Sequence, residues 1–267
     1  MDVLIIGGGN MGKTFAQSFL NAKVLKKENI HILDKDPLKI DLLTRFQLGK
    51  IHGKPGDFIK KIKLIILAVK PQDTKSLYDQ LRPFITPDHV VLSIMAGVTI
   101  ATISEKMGTN KVVRAMPNLP AQIGIGMTVF TSSPEVPEKE LRLVHDYIST
   151  TGKAIQVDDE DMLNAATAVS GSGPAYIFYF MESMIQSAVK MGFSYAEAST
   201  MVEQTVMGAA YLFKRSNISC EQWIEKVASR GGTTEAAISV FNDEHVKDGI
   251  HKGMQRALER SRELSKV

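Results

Sequence analysis

The residues best suited to chemistry in this chain are glycines and small hydroxyl residues rather than the usual catalytic acids, bases and nucleophiles. The six histidines are scattered without metal-ligand spacing, the single cysteine is Cys220, and the sequence contains no nucleophile elbow. Two stretches rich in hydrogen-bond donors stand out, at residues 167–176 and 228–235. Such groups suit hydride transfer from a nicotinamide cofactor to a substrate that is already electrophilic.

A glycine-rich turn near the start of the chain predicts where that cofactor binds. Gly7, Gly9 and Gly12 have the G-x-G-x-x-G spacing, directly after an apolar run and before a helix-compatible segment. The first glycine permits a sharp turn, the second lets the backbone touch a pyrophosphate, and the third lets the helix pack on the strand. Asn10 and Met11 lie at the positive end of that helix, so all five residues are predicted to bind a dinucleotide.

The choice of cofactor depends on residues after the second strand-like run. Asp34 lies about 20 residues beyond the third glycine, where a carboxylate can hydrogen-bond the adenosine ribose. Alternatively Asp34 caps the helix that begins near Pro37, although Asp36 is better placed for that role. Lys35 could meet the 2′-phosphate of NADPH. The signals are mixed, and we expect both NADPH and NADH to work.

Three later strand-like runs, residues 63–69, 90–95 and 111–115, end in small or rigid residues. Ligands of open α/β sheets gather at the carboxyl ends of the strands, so these ends are also predicted to contact the cofactor. The residues concerned are Ala68, Val69, Lys70, Pro71, Ala96 and Asn118.

The order of elements predicts two domains of different kind. Strands alternate with helices in residues 1–158, which indicates a Rossmann-type doubly wound sheet that binds the dinucleotide. Residues 159–267 contain only helix-like stretches and are predicted to form an all-α substrate and dimerisation domain. The helix at 174–191 has a wide apolar face, which favours packing on a second subunit. The alternative is that the helices simply pack on each other.

Composition excludes several classes of protein. The chain has 267 residues, 44% hydrophobic and 23% charged, with a net charge of +3. That balance gives no reason to expect a nucleic-acid partner, and the longest apolar run, residues 64–69, is far too short to span a membrane. No signal peptide is evident, and a single cysteine fits a reducing compartment. We therefore expect a cytoplasmic protein with a small-molecule substrate.

The two donor-rich stretches each have a simpler explanation. Residues 167–176 could be a helix–helix turn capped by Ser172, with Pro174 in its preferred first helical position. A turn does not require so many small polar residues, however. Residues 231–234 place two glycines and two hydroxyls at a helix start, which suits a carboxylate or phosphate. The same residues could instead serve only as helix caps.

Five motifs follow one another along the chain: G-x-G-N-M-G at 7–12, A-V-K-P at 68–71, R-x-M-P-N-x-P-A at 114–121, S-G-S-G-P-A-Y at 170–176 and G-G-T-T at 231–234. Together they resemble the pyrroline-5-carboxylate reductase family, which reduces a cyclic imine to L-proline. The resemblance extends over essentially the whole chain. Arg230 and Leu119 depart from the family's usual Pro and Thr, and neither change removes a required donor.

The resemblance implies specific roles and an assembly. Ser229, Gly232, Thr233 and Thr234 would hold the substrate carboxylate, and Thr167 would lie near the imine nitrogen. NADPH or NADH would deliver hydride to the C=N carbon, in the last step of proline biosynthesis. The helical domains of two subunits would interlock, with the active site between one nucleotide domain and the partner's helices, and such dimers would assemble into a larger ring.

Two other interpretations remain open. A β-hydroxyacid dehydrogenase has the same two-domain plan but needs a lysine projecting from the first long helix of its second domain. Here that helix contains only Lys190, at its far end. A non-catalytic dinucleotide sensor accounts for the glycine turn but not for the two donor-rich stretches.

Overall fold

A computed structural model describes residues 1–265, which form two compact units. One unit contains Met1–Ser172 together with the chain from Ala257 onward, and the other is Gly173–Arg256. This division by contacts differs from the predicted domains 1–158 and 159–267. The reason is that residues 159–172 pack on the sheet and also bind the end of the last helix. As a division of function, the predicted boundary stays a prediction.

The first unit is built on one eight-stranded sheet with the order β3-β2-β1-β4-β5-β6-β7-β8. The reversal of strand order falls between β1 and β4, and in open α/β sheets ligands bind at the carboxyl ends of the strands there. The strands are β1 Val3–Ile6, β2 Ile30–Leu33, β3 Lys50–His52, β4 Leu64–Leu67, β5 Val90–Ser93, β6 Val112–Pro117, β7 Gly126–Ser132 and β8 Gly152–Gln156.

The central strands are continuous apolar runs because both faces of the sheet are covered. In β1, Val3 and Ile5 belong to one hydrophobic core, whereas Leu4 and Ile6 belong to the core on the opposite face. All four side chains are buried. The predicted Rossmann-type fold is confirmed, and a short strand that was not predicted from the sequence, β3, extends the sheet at one edge.

Two strands run against the others. The pairs from β3 through β6 are parallel, but β7 is antiparallel to β6, and β8 is parallel to β7. The connection from β6 to β7 is only a short 3-10 turn, Leu119–Ile123. Because a parallel pair needs a crossover of a dozen or more residues, this link permits only the antiparallel arrangement.

Eleven α-helices occur in the described part of the chain, and no strand follows β8 there. A π-helical segment, Thr167–Gly171, separates α6 from α7. The all-helical second half is thereby confirmed. The helices are α1 Asn10–Asn21, α2 Pro37–Phe46, α3 Thr74–Leu81, α4 Ile100–Met107, α5 Glu138–Ser149, α6 Met162–Ala166, α7 Gly173–Lys190, α8 Tyr195–Lys214, α9 Cys220–Val227, α10 Thr233–Asp243 and α11 Val246–Leu264.

The apolar face of α7 is only partly covered within the chain. Met181, Ile185 and Ala188 pack against α8 within the chain. Other apolar side chains of the helical unit, such as Phe178 at 59% and Tyr179 at 74%, are exposed. A patch of large exposed apolar side chains is typical of a protein–protein interface. None of the helices among residues 1–265 is long and apolar enough to cross a membrane.

Candidate functional site

The glycine turn after β1 is fixed by close backbone contacts. Gly7 has φ +104°, and its N–H donates to Leu33 O at 2.8 Å. A Cβ atom added to Gly7 would lie 2.5 Å from Ala68 O, and one added to Gly12 would lie 1.9 Å from Gly7 O. Only glycine therefore fits at these two positions, the first and third glycines of the turn.

The second glycine has a different reason to be small. A Cβ atom on Gly9 would meet nothing within 4 Å, so the protein's own packing does not exclude a side chain there. Gly9 is the N-cap of α1 and offers no side-chain cap to the free N–H groups of the first turn. Open space at a positive helix end fits the pyrophosphate of a dinucleotide.

Asp34 directly follows β2 and is only 8% exposed. One carboxylate oxygen accepts from Gly8 N–H at 2.7 Å, and the other accepts from Asp36 N–H at 2.9 Å. The residue therefore fastens the glycine turn to the next loop, a role that the sequence did not reveal. Asp36 caps α2 by accepting from Leu38 N–H, as predicted. Each oxygen of Asp34 keeps a further lone pair, so its predicted contact with the ribose stays a prediction.

A cavity of about 310 Å³ opens where the strand order reverses. Lys39, in the first turn of α2, also lines this cavity. It was not predicted from the sequence, although its position shortly after Asp34 was a usable signal. Its Nζ lies 3.9 Å from an oxygen of Asp34 and 3.9 Å from one of Asp36. The predicted cofactor residues around this cavity are Gly7, Gly9, Asp34, Lys35, Ala68, Val69 and Lys70.

The other predicted cofactor residues lie outside this cavity. Asn10 and Met11 begin α1, and Met11 packs on the core. Pro71 opens a 3-10 turn after β4, and Ala96 follows β5. Asn118 follows β6, and its side-chain amide is already hydrogen-bonded at both ends. Their contact with a cofactor stays a prediction.

Thr167 begins the π-helical segment and is half-buried. Its hydroxyl donates to Leu163 O at 2.7 Å. The hydroxyl oxygen can still accept a hydrogen bond, for instance from a protonated nitrogen. The π-helical register is visible in the bond from Ser172 N–H to Thr167 O at 2.8 Å. Such irregular turns occur often at functional sites.

The end of α11 anchors the segment that carries Thr167. Ser261 and Ser265 hydroxyls donate to Asn164 Oδ1 at 2.8 and 3.0 Å. Nearby, Arg262 binds Asp161, and this hydrogen bond lowers the pKa of the Asp161 carboxyl below its usual value, with a further contribution from Asn164. These contacts fix α6 immediately before Thr167.

The start of α10 has backbone N–H groups without a side-chain hydrogen-bond partner from the N-cap residue. No side chain caps it, whereas α8 and α9 each begin with a complete capping box. Two nearby N–H groups are engaged: Gly231 donates to Glu235 Oε2 at 2.6 Å, and Gly232 donates to Ser229 O at 2.9 Å. The first-turn N–H groups and the hydroxyls of Thr233 and Thr234 remain available. The use of Gly231 N–H by Glu235 was not foreseen from the sequence.

The fold and the glycine turn define a dinucleotide-binding protein of the Rossmann class with a helical second half. Family models match two parts of the chain. Residues 160–264 match pyrroline-5-carboxylate reductase dimerisation, and residues 2–97 match the coenzyme F420-dependent NADP oxidoreductases.

Full-length relatives narrow this class. Pyrroline-5-carboxylate reductase of Aquifex aeolicus is 33% identical, over 99% of this chain and 97% of its own length. Pyrroline-5-carboxylate reductase 2 of Bacillus subtilis is 32% identical, over 97% and 93%. The chain belongs to the pyrroline-5-carboxylate reductase family.

Solved structures agree with that assignment. The enzyme from Coxiella burnetii has a TM-score of 0.91 and 30% identity, covering 100% of this chain and 99% of that one. The enzyme from Plasmodium falciparum, solved with NADP bound, has a TM-score of 0.89 and 26% identity, covering 99% and 98%.

Proposed function

We propose that this protein reduces the C=N bond of 1-pyrroline-5-carboxylate with NADPH or NADH, giving L-proline in the last step of proline biosynthesis. The full-length match to pyrroline-5-carboxylate reductases carries this proposal. The test is oxidation of NADPH or NADH, followed by nicotinamide absorbance, with and without the imine. Cofactor binding without imine-dependent oxidation would favour the non-catalytic sensor instead.

The start of α10 is the proposed carboxylate site. The first-turn N–H groups and the partial positive charge of the helix end suit an anion, and they have no side-chain cap. Thr233 and Thr234 add hydroxyl donors. Gly232 keeps the loop compact, since a Cβ atom there would lie 2.5 Å from Ser229 Oγ. Ser229 and Gly232 are therefore proposed to shape the site, and the two threonines to bind the carboxylate.

Thr167 is proposed to orient the imine nitrogen. The product is a secondary amine, so the reaction adds a hydride to the ring carbon and a proton to the nitrogen. The cofactor, when bound, supplies the hydride. A threonine hydroxyl is a poor free acid, and in this structure its proton is engaged by Leu163 O. We infer that Thr167 accepts from the protonated nitrogen, or relays a proton that comes from solvent.

Both nicotinamide cofactors should work, with kcat/KM values within about ten-fold of each other, or about 1.4 kcal/mol. At ~4 Å, Asp34 would repel a 2′-phosphate by roughly 4 kcal/mol at an effective dielectric near 20. Lys35 and Lys39 oppose that repulsion, and solvent screens Lys35, whose side chain is 78% exposed and paired with Asp73. The measurement is kcat/KM for each cofactor at saturating imine.

Lysine variants test the electrostatic part of this prediction. Lys35→Ala and Lys39→Ala should each lower kcat/KM for NADPH more than for NADH. Lys139→Ala is the matched control, because Lys139 lines a different cavity, which also contains Met1 and Lys63. The electrostatic explanation would be contradicted if the protein used only one of the two cofactors and still did so in Lys35→Ala, Lys39→Ala and Asp34→Asn.

The exposed apolar side chains of the helical unit and the match to a dimerisation family support a homo-oligomer. We propose that residues 159–267 supply the dimer contacts and that dimers assemble into a larger ring. A cytoplasmic location is proposed with it, supported by the single, unpaired Cys220.

A further inference from the structure

We propose that Asn118 is a positioning residue that holds the π-helical segment, and with it Thr167, in the reactive register. This inference rests on the proposed function of Thr167. It assigns Asn118 a role other than direct contact with the cofactor.

The need for such a residue originates in Pro174. In a continuous α-helix the carbonyl of Ser170 would accept from the N–H of residue 174, and proline has no N–H. An unpaired carbonyl in a part-buried place costs free energy unless another donor replaces the missing one. Pro174 therefore leaves the carbonyl of Ser170, three residues after Thr167, without its usual helical donor.

Asn118 supplies the missing donor. Its Nδ2 donates to Ser170 O at 3.0 Å, across 52 residues of sequence. The other end of the amide is fixed, because Asn118 Oδ1 accepts from Met127 N–H at 2.8 Å. Since Met127 belongs to β7 and Asn118 follows β6, the amide connects the π-helical segment to two strands of the sheet.

A second contact shows how closely this segment approaches the sheet. A Cβ atom added to Gly171 would lie 2.8 Å from the Cε atom of Met116 in β6. The π-helical bond from Ser172 to Thr167 lies within the same short segment. Because Thr167 is the first residue of the π-helical segment, a change of hydrogen-bond register in that segment would move Thr167. Misplacement of about 1 Å can cost on the order of 100-fold in rate.

The test uses Asn118→Asp, which keeps an acceptor for Met127 N–H but cannot donate to Ser170 O. We expect kcat to fall at least ten-fold, while the dissociation constant of NADPH, measured by nicotinamide fluorescence, changes less than two-fold. In a Thr167→Val background, Asn118→Asp should lower kcat less than two-fold further. Asn21→Asp, at the exposed C-terminal end of α1, is the control for the added charge and should leave kcat unchanged.

Two results of these binding and kinetic measurements would overturn the inference. A raised dissociation constant for NADPH with kcat retained would make Asn118 a cofactor contact. If Asn118→Asp lowered kcat as much in the Thr167→Val background as in the wild type, Asn118 would not act through Thr167. Amide hydrogen exchange at Ser172 gives a readout that does not depend on activity. It should accelerate at least ten-fold in Asn118→Asp, and unchanged protection would contradict the inference even if the wild-type protein reduced no imine.

Pro174→Ala provides a second variant if Asn118→Asp folds poorly. Residue 174 then has an N–H that can bond to Ser170 O in the ordinary α-helical register. The double variant Pro174→Ala/Asn118→Asp should regain thermal stability but not kcat, because the π-helical register is no longer maintained. Recovery of both stability and kcat would show that Asn118 contributes only to folding.

Discussion

Thr167→Val is expected to lower kcat roughly 100-fold, at the modest end of the range for general acid–base groups, with little change in cofactor affinity. Valine keeps the shape of threonine and removes the hydroxyl. The hydroxyl interacts with a nitrogen that gains a proton during the reaction, so its contribution is larger in the transition state than in the ground state. The loss should grow as pH rises, because at low pH the imine arrives already protonated.

The measurement is kcat and KM across pH for the wild type, Thr167→Val and Thr167→Ser. Serine keeps the hydroxyl and should retain most of kcat. Thr44→Val is a matched control, because Thr44 also donates to the carbonyl four residues earlier, at 2.8 Å, on the exposed side of α2. An undiminished kcat of Thr167→Val at high pH would remove Thr167 from the mechanism and leave it as a packing residue.

Thr234→Val should lower kcat/KM for the imine roughly 10- to 100-fold, chiefly through a higher KM. A hydrogen bond to a charged group is worth roughly 1.5–3 kcal/mol, and the start of α10 has no side-chain cap to replace it. The KM of NADPH should change little, because the proposed cofactor contacts are the glycine turn and the cavity beside it, and Thr234 is not among the residues that line this cavity.

Ser219→Ala is the control for this experiment. Ser219 is also a hydroxyl residue at a helix start, but its side chain is engaged in the capping box of α9. Its loss should lower stability by about 1 kcal/mol without raising KM for the imine. If Thr234→Val weakened NADPH binding and spared the imine, the loop at residues 229–234 would have been assigned to the wrong ligand.

Much of this structure was predictable because its determinants are local. The run Val3–Ile6 followed by Gly7 predicts a buried strand and a sharp turn, and both are found. The start of the helix Tyr195–Lys214 also has a local determinant, because Ser194 and Glu197 form a capping box there. Strand β3 was missed because it is three residues long and has no buried residue.

Features that depend on distant parts of the chain were not predictable in this way. The opposite direction of β7 follows from its short connection, which a strand pattern alone does not reveal. Asp34 binds Gly8 N–H across 26 residues, and Asn118 binds Ser170 O across 52. Such pairs form only after the sheet has brought their elements together. The one local clue was Pro174, whose missing N–H marks Ser170 O as needing another donor.

The most direct test of the proposed function follows the transferred hydrogen. The protein is incubated with pyrroline-5-carboxylate and with NADPH or NADH carrying deuterium at C4 of the nicotinamide, and the product is analysed by mass spectrometry and NMR. If the protein reduces the imine, the cofactor is oxidised only when the imine is present, and the L-proline formed carries one deuterium on the former C=N carbon. The proposed function would be contradicted if the cofactor were oxidised no faster with the imine than without it. It would also be contradicted if the proline contained no deuterium, whichever face of the nicotinamide carried the label.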